Sequence, residues 1–392
     1  MWLLNPAFLY ASTWLFVTVM YAMGLSGLLE PLQPATWLLI VGSAVTFILG
    51  WLVESISRGG KFASTRRDFD ALIPKLHTAG VRRRLQLVTV VFLVGLGGEI
   101  IYFGGAPILS AMGVGREMAY TDFGLPGLHG LLNSTFYAAC LLAFARMITS
   151  ASKARDKFWL AVVSISYPVF GLSRQVLISL LLQYVILYFT VRRISAFTFA
   201  MIAMAFVSAF LIFGYLGDLR SGRDSIIALA DPTFDYPEWL PSAFIWFYIY
   251  LCTPLNNVNY NIGIGPHYFP VETVATLIPS FARDSYLDVA GAGGGAGQTW
   301  ELVNDSFNVS SLLQSLVTDF GVGGSMMFTG LCGIAFSRLL RNSAKRPAAL
   351  FAIVVFLHGI ALSFFANLLF HLVFLFEIVT LAWIVKGRKG PT

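Results

Sequence analysis

Long apolar stretches recur from one end of the chain to the other, and nothing constrains its folding more. A helix needs roughly 20 apolar residues to cross ~30 Å of hydrocarbon. Stretches of that kind cover residues 5–28, 35–56, 85–104, 128–148, 197–216 and 312–335. Two longer ones, 159–191 and 348–385, are each read as a pair of helices, the second as a tight hairpin. Together they predict ten spans. Composition agrees: of 392 residues, 57% are hydrophobic and 12% charged, and mean hydropathy is +0.74. A soluble domain carries about twice that charge fraction. A disordered chain, a collagen-like chain and a soluble enzyme with one anchor are thereby excluded. The first stretch lacks a basic start and an Ala-x-Ala end, so it reads as a retained span and not as a signal peptide. The 34 Phe, 15 Tyr and 9 Trp residues suit bilayer interfaces.

Basic residues set the expected orientation. Clusters lie at Arg58 to Arg84, Arg146 to Lys157, Arg192-Arg193, Arg338 to Arg346 and Lys386 to Lys389. Ten spans with both termini cytoplasmic put all five clusters inside. The net charge of +6 is therefore spread between spans, and no basic patch points to nucleic acid. Arg116, Arg174, Arg220, Arg223 and Arg283 are left for the outer side, with no lysine among them. A guanidinium pairs bidentately with phosphate. Five outer arginines thus suggest bound phosphate, or else ion pairs with neighbours such as Glu117, Asp224 and Asp284.

The chain divides into spans one to seven over 1–216, a large outer loop over 217–310, and spans eight to ten over 311–392. Within the loop, the apolar run Pro241 to Leu255 is too short to span and contains Pro254. It reads as a re-entrant or interfacial helix. Asn256, Asn257, Asn259, Tyr260 and Asn261 follow it. These amides and phenol suit sugar hydroxyls, or serve as caps and turns. The glycine run Gly291 to Gly297 lacks a Gly-Lys-Ser/Thr ending and reads as a flexible lid or loop.

Polar residues inside apolar stretches are candidates for chemistry by default. Arg174 stands in the middle of 159–191, where an anion or an intramembrane acid such as Glu99 or Glu377 would partner it. Arg220 and Arg223, with Asp218 and Asp224 beside them, follow span seven. A continuing helix would put both arginines on one face, as a clamp for pyrophosphate. Asp319 lies in the first turns of span eight and could act as a base or orient an arginine. His267 and Glu272 in the loop could each take a proton. His358 and His371 read as packed. Asp68-Phe69-Asp70 sits in a cytoplasmic loop too short for a nucleotide domain. Cys140, Cys252 and Cys332 lie in apolar segments and read as packing residues. No metal-ligand spacing occurs on the outer side, and no cofactor is expected.

These features resemble the oligosaccharide repeat-unit polymerases of the Wzy type, which are related to the O-antigen ligases. The matching parts are Ser173-Arg174 opening a helix that ends in Arg192-Arg193, Phe213 to Arg220, Thr253 to Asn257 with Phe269 to Thr273, and Asn308 to Ser310 leading to Thr318 to Gly323. The resemblance implies an all-α polytopic protein of the bacterial inner membrane with a periplasmic active site. It implies a glycosyltransferase acting on undecaprenyl-pyrophosphate-linked oligosaccharide, with a chain-length regulator as a partner. On this reading Arg174, Arg220, Arg223, Asp319 and His267 carry the chemistry. Arg283, Asp218, Asn256, Asn259, Tyr260, Glu272 and Glu99 would contact substrate. The loop itself is acidic, which departs from a simple anion funnel. A ligase acting on lipid A core, and a flippase for lipid-linked sugars, are the alternatives. A flippase would be expected to show internal repeats, which the sequence lacks.

Overall fold

The computed structural model describes residues 4–57, 69, 71–114, 122–149, 154–192, 195–290, 301–304, 307 and 309–386. Among these, the regular structure is helical, with a single isolated bridge between Ser26 and Pro232. The apolar stretches fold as α1 (Pro6–Ala22), α2 (Pro34–Ile56), α3 (Ala79–Phe103), α4 (Leu128–Thr149), α5 (Ala154–Phe170), α6 (Arg174–Val191) and α7 (Ala196–Ser221). The loop contributes α8 (Arg223–Ala230), α9 (Ala243–Asn261), α10 (Val271–Ala275) and α11 (Ser280–Val289). The chain ends with α12 (Leu312–Ser343), α13 (Pro347–Ala361) and α14 (Leu372–Val385). Four stretches, Pro34–Ile56, Ala79–Ser110, Leu128–Thr149 and Leu312–Ser343, are long and apolar enough to cross a membrane. Six shorter apolar helices accompany them, as expected of a multi-pass membrane protein.

Local sequence explains the helix ends. Asn5 caps α1 by accepting from Ala7 N at 2.9 Å, and prolines open α1, α2 and α13. Thr78 caps α3, which stops at Gly104 with φ 70°. The 348–385 stretch is not a tight hairpin. Its helices have only 15 and 14 residues, and 362–371 between them is non-helical. That connection is held from outside: Leu312 N donates to Ser363 O and Thr276 Oγ1 to Phe370 O, at 2.8 and 2.7 Å.

The tightest contact in the bundle joins α2 and α12, which run parallel. Gly42 faces Met326, Gly50 faces the Gly330 carbonyl, Gly333 faces the Phe47 carbonyl, and Thr46 meets Thr329 at 3.0 Å. At the end of the seam buried Glu54 accepts from Arg338 Nε at 2.9 Å and Arg341 Nη2 at 2.6 Å. Small residues let two backbones approach where lipid offers no hydrophobic drive between helices.

Main-chain contacts sort the helix ends into two sets. Arg84 Nη2 reaches Lys386 O at 2.6 Å, Arg146 Nη1 reaches Leu76 O at 3.1 Å, and Arg192 Nε reaches Ile148 O at 2.9 Å. All lie at the basic end of the bundle. The 22–33 connection, the 217–290 loop and the 362–371 connection meet at the other end.

A methyl group at Gly50 or Gly333 would strike a backbone carbonyl. Gly50→Ala and Gly333→Ala should each destabilise the protein by about 1–3 kcal/mol through overpacking. Gly97→Ala, with no heavy atom within 4 Å of its added methyl, should be neutral or mildly stabilising. Thermal unfolding in detergent separates the two outcomes.

Candidate functional site

The α12 helix breaks at Gly321, where φ is 67° and ψ −179°. Such a φ favours glycine. Asp319 therefore ends the first segment of α12, fully buried. Its Oδ1 accepts from Glu272 N at 2.7 Å and its Oδ2 from Thr273 N at 2.8 Å. A carboxylate at this position satisfies the orphan N–H groups that open α10. Beside it, His267 N donates to Thr318 O at 2.9 Å. Downstream, Arg283 Nε donates to Ala275 O at 3.1 Å, which folds α11 back onto the end of α10.

These bonds bring Glu272, His267, Arg283 and Asp319 together. Glu272 is half-buried. Burial, and then the negative charge of Asp319, push its carboxyl above the usual range, while His267 and Arg283 oppose the shift. Tyr286 completes the group. Its hydroxyl is buried without a partner, and its pKa is raised by burial and by the fields of Asp319 and Glu272. His371 faces Arg283 from the 362–371 connection and caps α14 by accepting from Val373 N at 3.3 Å. The rim carries exposed Tyr268, Phe269 and Phe281. Tyr268 adopts φ 56°, an uncommon backbone state for a bulky residue and one that clusters at functional sites.

Asp319, with no exposed surface and both oxygens bonded, cannot reach a substrate proton. It positions Glu272. A half-buried carboxyl whose pKa is raised is a better proton acceptor than an ordinary surface carboxylate. Sequence reading named Glu272 and His267 but missed Tyr286. The signal was its i, i+3 spacing from Arg283, which puts both on one face of α11. His371, expected to be packed, stands at the N-cap of α14.

Other expected site residues are held elsewhere. Asn256 Oδ1 accepts from Tyr21 OH at 2.6 Å and Glu30 N at 3.1 Å, and its Nδ2 donates to Leu28 O at 2.8 Å. Asn259 Oδ1 accepts from Gln33 N and Thr36 Oγ1, and its Nδ2 donates to Pro31 O. Asn257 and Asn261 do the same on another face of α9, binding the 301–309 segment. These buried amides stitch α9 between two loops, which leaves Asn256 and Asn259 no free polar atom for sugar. Tyr260 remains exposed.

Arg223 donates to Glu238 O at 2.6 Å and Pro237 O at 2.8 Å and lies over Tyr236. Its guanidinium fastens the loop and pairs with neither neighbouring aspartate. Gly222, at φ 79°, separates α7 from α8, so Arg220 and Arg223 do not share the face of one helix. Asp218 accepts from Ser242 Oγ. Glu99 is buried and accepts from Leu125 N at 2.9 Å, with His129 Nδ1 at 2.8 Å. Glu99 thereby pins the segment that leads into α4. Glu377 accepts from Gln183 Nε2 at 3.1 Å. His358 is fully buried against Phe374. Arg174 opens α6 behind its cap Ser173. The side chains of Arg174 and Arg220 lie outside the described residues, as do Arg116, Glu117, Asp68, Asp70 and the Gly291 to Gly297 run. Among the described residues, no three His, Cys, Asp or Glu side chains gather to hold a metal ion.

Comparison with protein-family models, with curated proteins and with solved structures finds no match.

Asp319→Ala leaves two buried N–H groups unpaired and should cost about 1–3 kcal/mol. It should also expose α10 and α11 to limited proteolysis. Glu272→Gln removes a charge that burial disfavours, so its thermal stability should equal or exceed that of the parent.

Proposed function

We propose that the chain is a membrane glycosyltransferase that polymerises lipid-linked oligosaccharide repeat units on the outer face of the bacterial inner membrane. The observation that carries this reading is the meeting of Glu272, His267, Arg283 and Tyr286 over buried Asp319. In this scheme the acceptor sugar hydroxyl attacks the anomeric carbon of the donor. A carbon–oxygen bond forms there as the bond to the undecaprenyl pyrophosphate oxygen breaks. The bonding electrons leave with the pyrophosphate, and Glu272 takes the hydroxyl proton. Arg283 offsets the negative charge that develops on the leaving group. Arg174 and Arg220 stay in the proposal as pyrophosphate ligands, whereas Arg223, bonded to carbonyls, does not. Exposed Tyr260, Tyr268 and Phe281 offer faces for sugar rings.

A ten-span topology with cytoplasmic termini belongs to the same proposal. It is supported by the gathering of basic residues at one end of the bundle and of the candidate site at the other. On that topology α9 lies at the outer interface, because Tyr248, Asn256 and Asn259 along its length all bond the 25–33 connection.

Glu272→Gln and Arg283→Ala are the tests, made in cells lacking the native gene with protein abundance measured alongside. A single-repeat band in place of the glycan ladder is expected. In proteoliposomes supplied with lipid-linked repeat units, Glu272→Gln should lower the rate about 10²–10⁴-fold. An unchanged ladder for both variants sinks the proposal. Loss of all core-attached glycan would favour a ligase instead, and lipid-linked units trapped at the inner leaflet would favour a flippase.

The pH dependence gives a second check. A base with a raised pKa loses activity as pH falls through that pKa. Arg283 lowers the Glu272 pKa, so Arg283→Gln should move the acidic limb of the rate profile to higher pH. Glu272→Gln should abolish that limb.

A further inference from the structure

Between α3, α4 and α14 the bundle leaves a groove of about 320 Å³. Its walls are Leu87, Val88 and Val91 of α3 and Phe376, Val379 and Trp383 of α14. Thr135 joins from α4, but its hydroxyl is spent on Leu132 O at 2.7 Å. Thr380 of α14 also lines it; apart from these two threonines the walls are hydrocarbon, and Leu87, Val91, Val379 and Trp383 are exposed. In a membrane protein such a surface faces acyl chains.

One end of the groove is cationic. Arg84 precedes Leu87 and Val88 by one turn, on the same face of α3. Its guanidinium lies 5.9 Å from the Trp383 ring centre, and its Nη2 donates to Lys386 O at 2.6 Å. Its Nε is buried without a hydrogen-bond partner. None of the ion pairs among the described residues involves Arg84. Arg82 and Arg83 stand exposed beside it. An apolar slot that ends in guanidinium groups complements an amphiphile with a hydrocarbon tail and a phosphate head. A zwitterionic head would bring its own cation to a mouth that is already cationic. Basic pockets between membrane helices are suited to anionic lipid heads, and arginine pairs with phosphate bidentately. The candidate site lies at the other end of the bundle.

We infer that this groove binds an anionic phospholipid, with one acyl chain between α3 and α14 and the phosphate at Arg83 and Arg84. Binding would bridge α3 and α14, which are joined directly at this end by the Arg84 to Lys386 bond.

The test is native mass spectrometry of the purified full-length protein with phosphatidylglycerol, phosphatidylcholine or a polyprenyl phosphate added. The parent should retain phosphatidylglycerol at least fivefold better than phosphatidylcholine. Arg84→Ala and Arg83→Ala should each weaken that retention about fivefold. Arg83 is exposed, so its substitution tests the head site without disturbing the contacts of Arg84. Val379→Trp, which fills the slot, should weaken it too. Lys345→Ala, at the same end of the bundle but outside the groove, should leave it unchanged. Equal retention of the two phospholipids by the parent overturns the proposal. So does an equal loss in Lys345→Ala and Arg84→Ala, which would mean surface charge alone. Displacement of phosphatidylglycerol by the polyprenyl phosphate would assign the groove to a carrier lipid instead.

Discussion

The close seam between α2 and α12 is the contact on which the rest of the structure depends. Glycines at 42, 50, 330 and 333 remove the side chains that would hold the two backbones apart. Dispersion across that short gap replaces the hydrophobic drive that lipid cannot supply between helices. Because α2 and α12 run parallel, the seam also fixes which ends lie together. Glu54 with Arg338 and Arg341 closes it at the basic end. At the other end, α12 is free to break at Gly321 and deliver Asp319 to the 217–290 loop.

Asp319 in turn organises the candidate site by bonding and by charge. Its two oxygens hold the start of α10, which sets Glu272 at the edge of the buried region. The negative field of Asp319 then adds to burial in raising the Glu272 pKa, against His267 and Arg283. On the proposed reading, the buried carboxylate of Asp319 positions and the half-exposed carboxylate of Glu272 takes the proton, a division of roles that low-dielectric surroundings favour. Both depend on a helix break that only a residue tolerant of positive φ provides.

Much of the fold was legible from the sequence because hydrophobic length and basic clusters act locally. Each of the eight apolar stretches contains helix, the two longer ones two helices each, and most of the run Pro241 to Leu255 lies in the separate helix α9, which continues to Asn261. The middle of 159–191 does turn just before Arg174. The tight hairpin over 348–385 failed because long-range bonds from Leu312 and Thr276 hold 362–371 out of helical form. The candidate site was less legible. Residue type alone made Asn256, Asn259 and Arg223 look like ligands for sugar or phosphate. Their hydrogen bonds go instead to loop groups, which for the two asparagines lie at least partly buried and need partners. Glycine at 222 also separates two arginines whose spacing had suggested one helical face.

What the sequence determined by itself is the class of molecule: apolar helices of membrane length, and basic residues clustered at one set of their ends. Those properties follow from transfer free energy and charge, which each segment carries alone. Only the tertiary structure decided which polar groups remain free. A buried amide or guanidinium must satisfy its hydrogen bonds with whatever the fold brings near, and that depends on segments distant in the chain. Glu272 stays available because Asp319 bonds its backbone and not its carboxyl, a distinction that no local pattern in the sequence encodes.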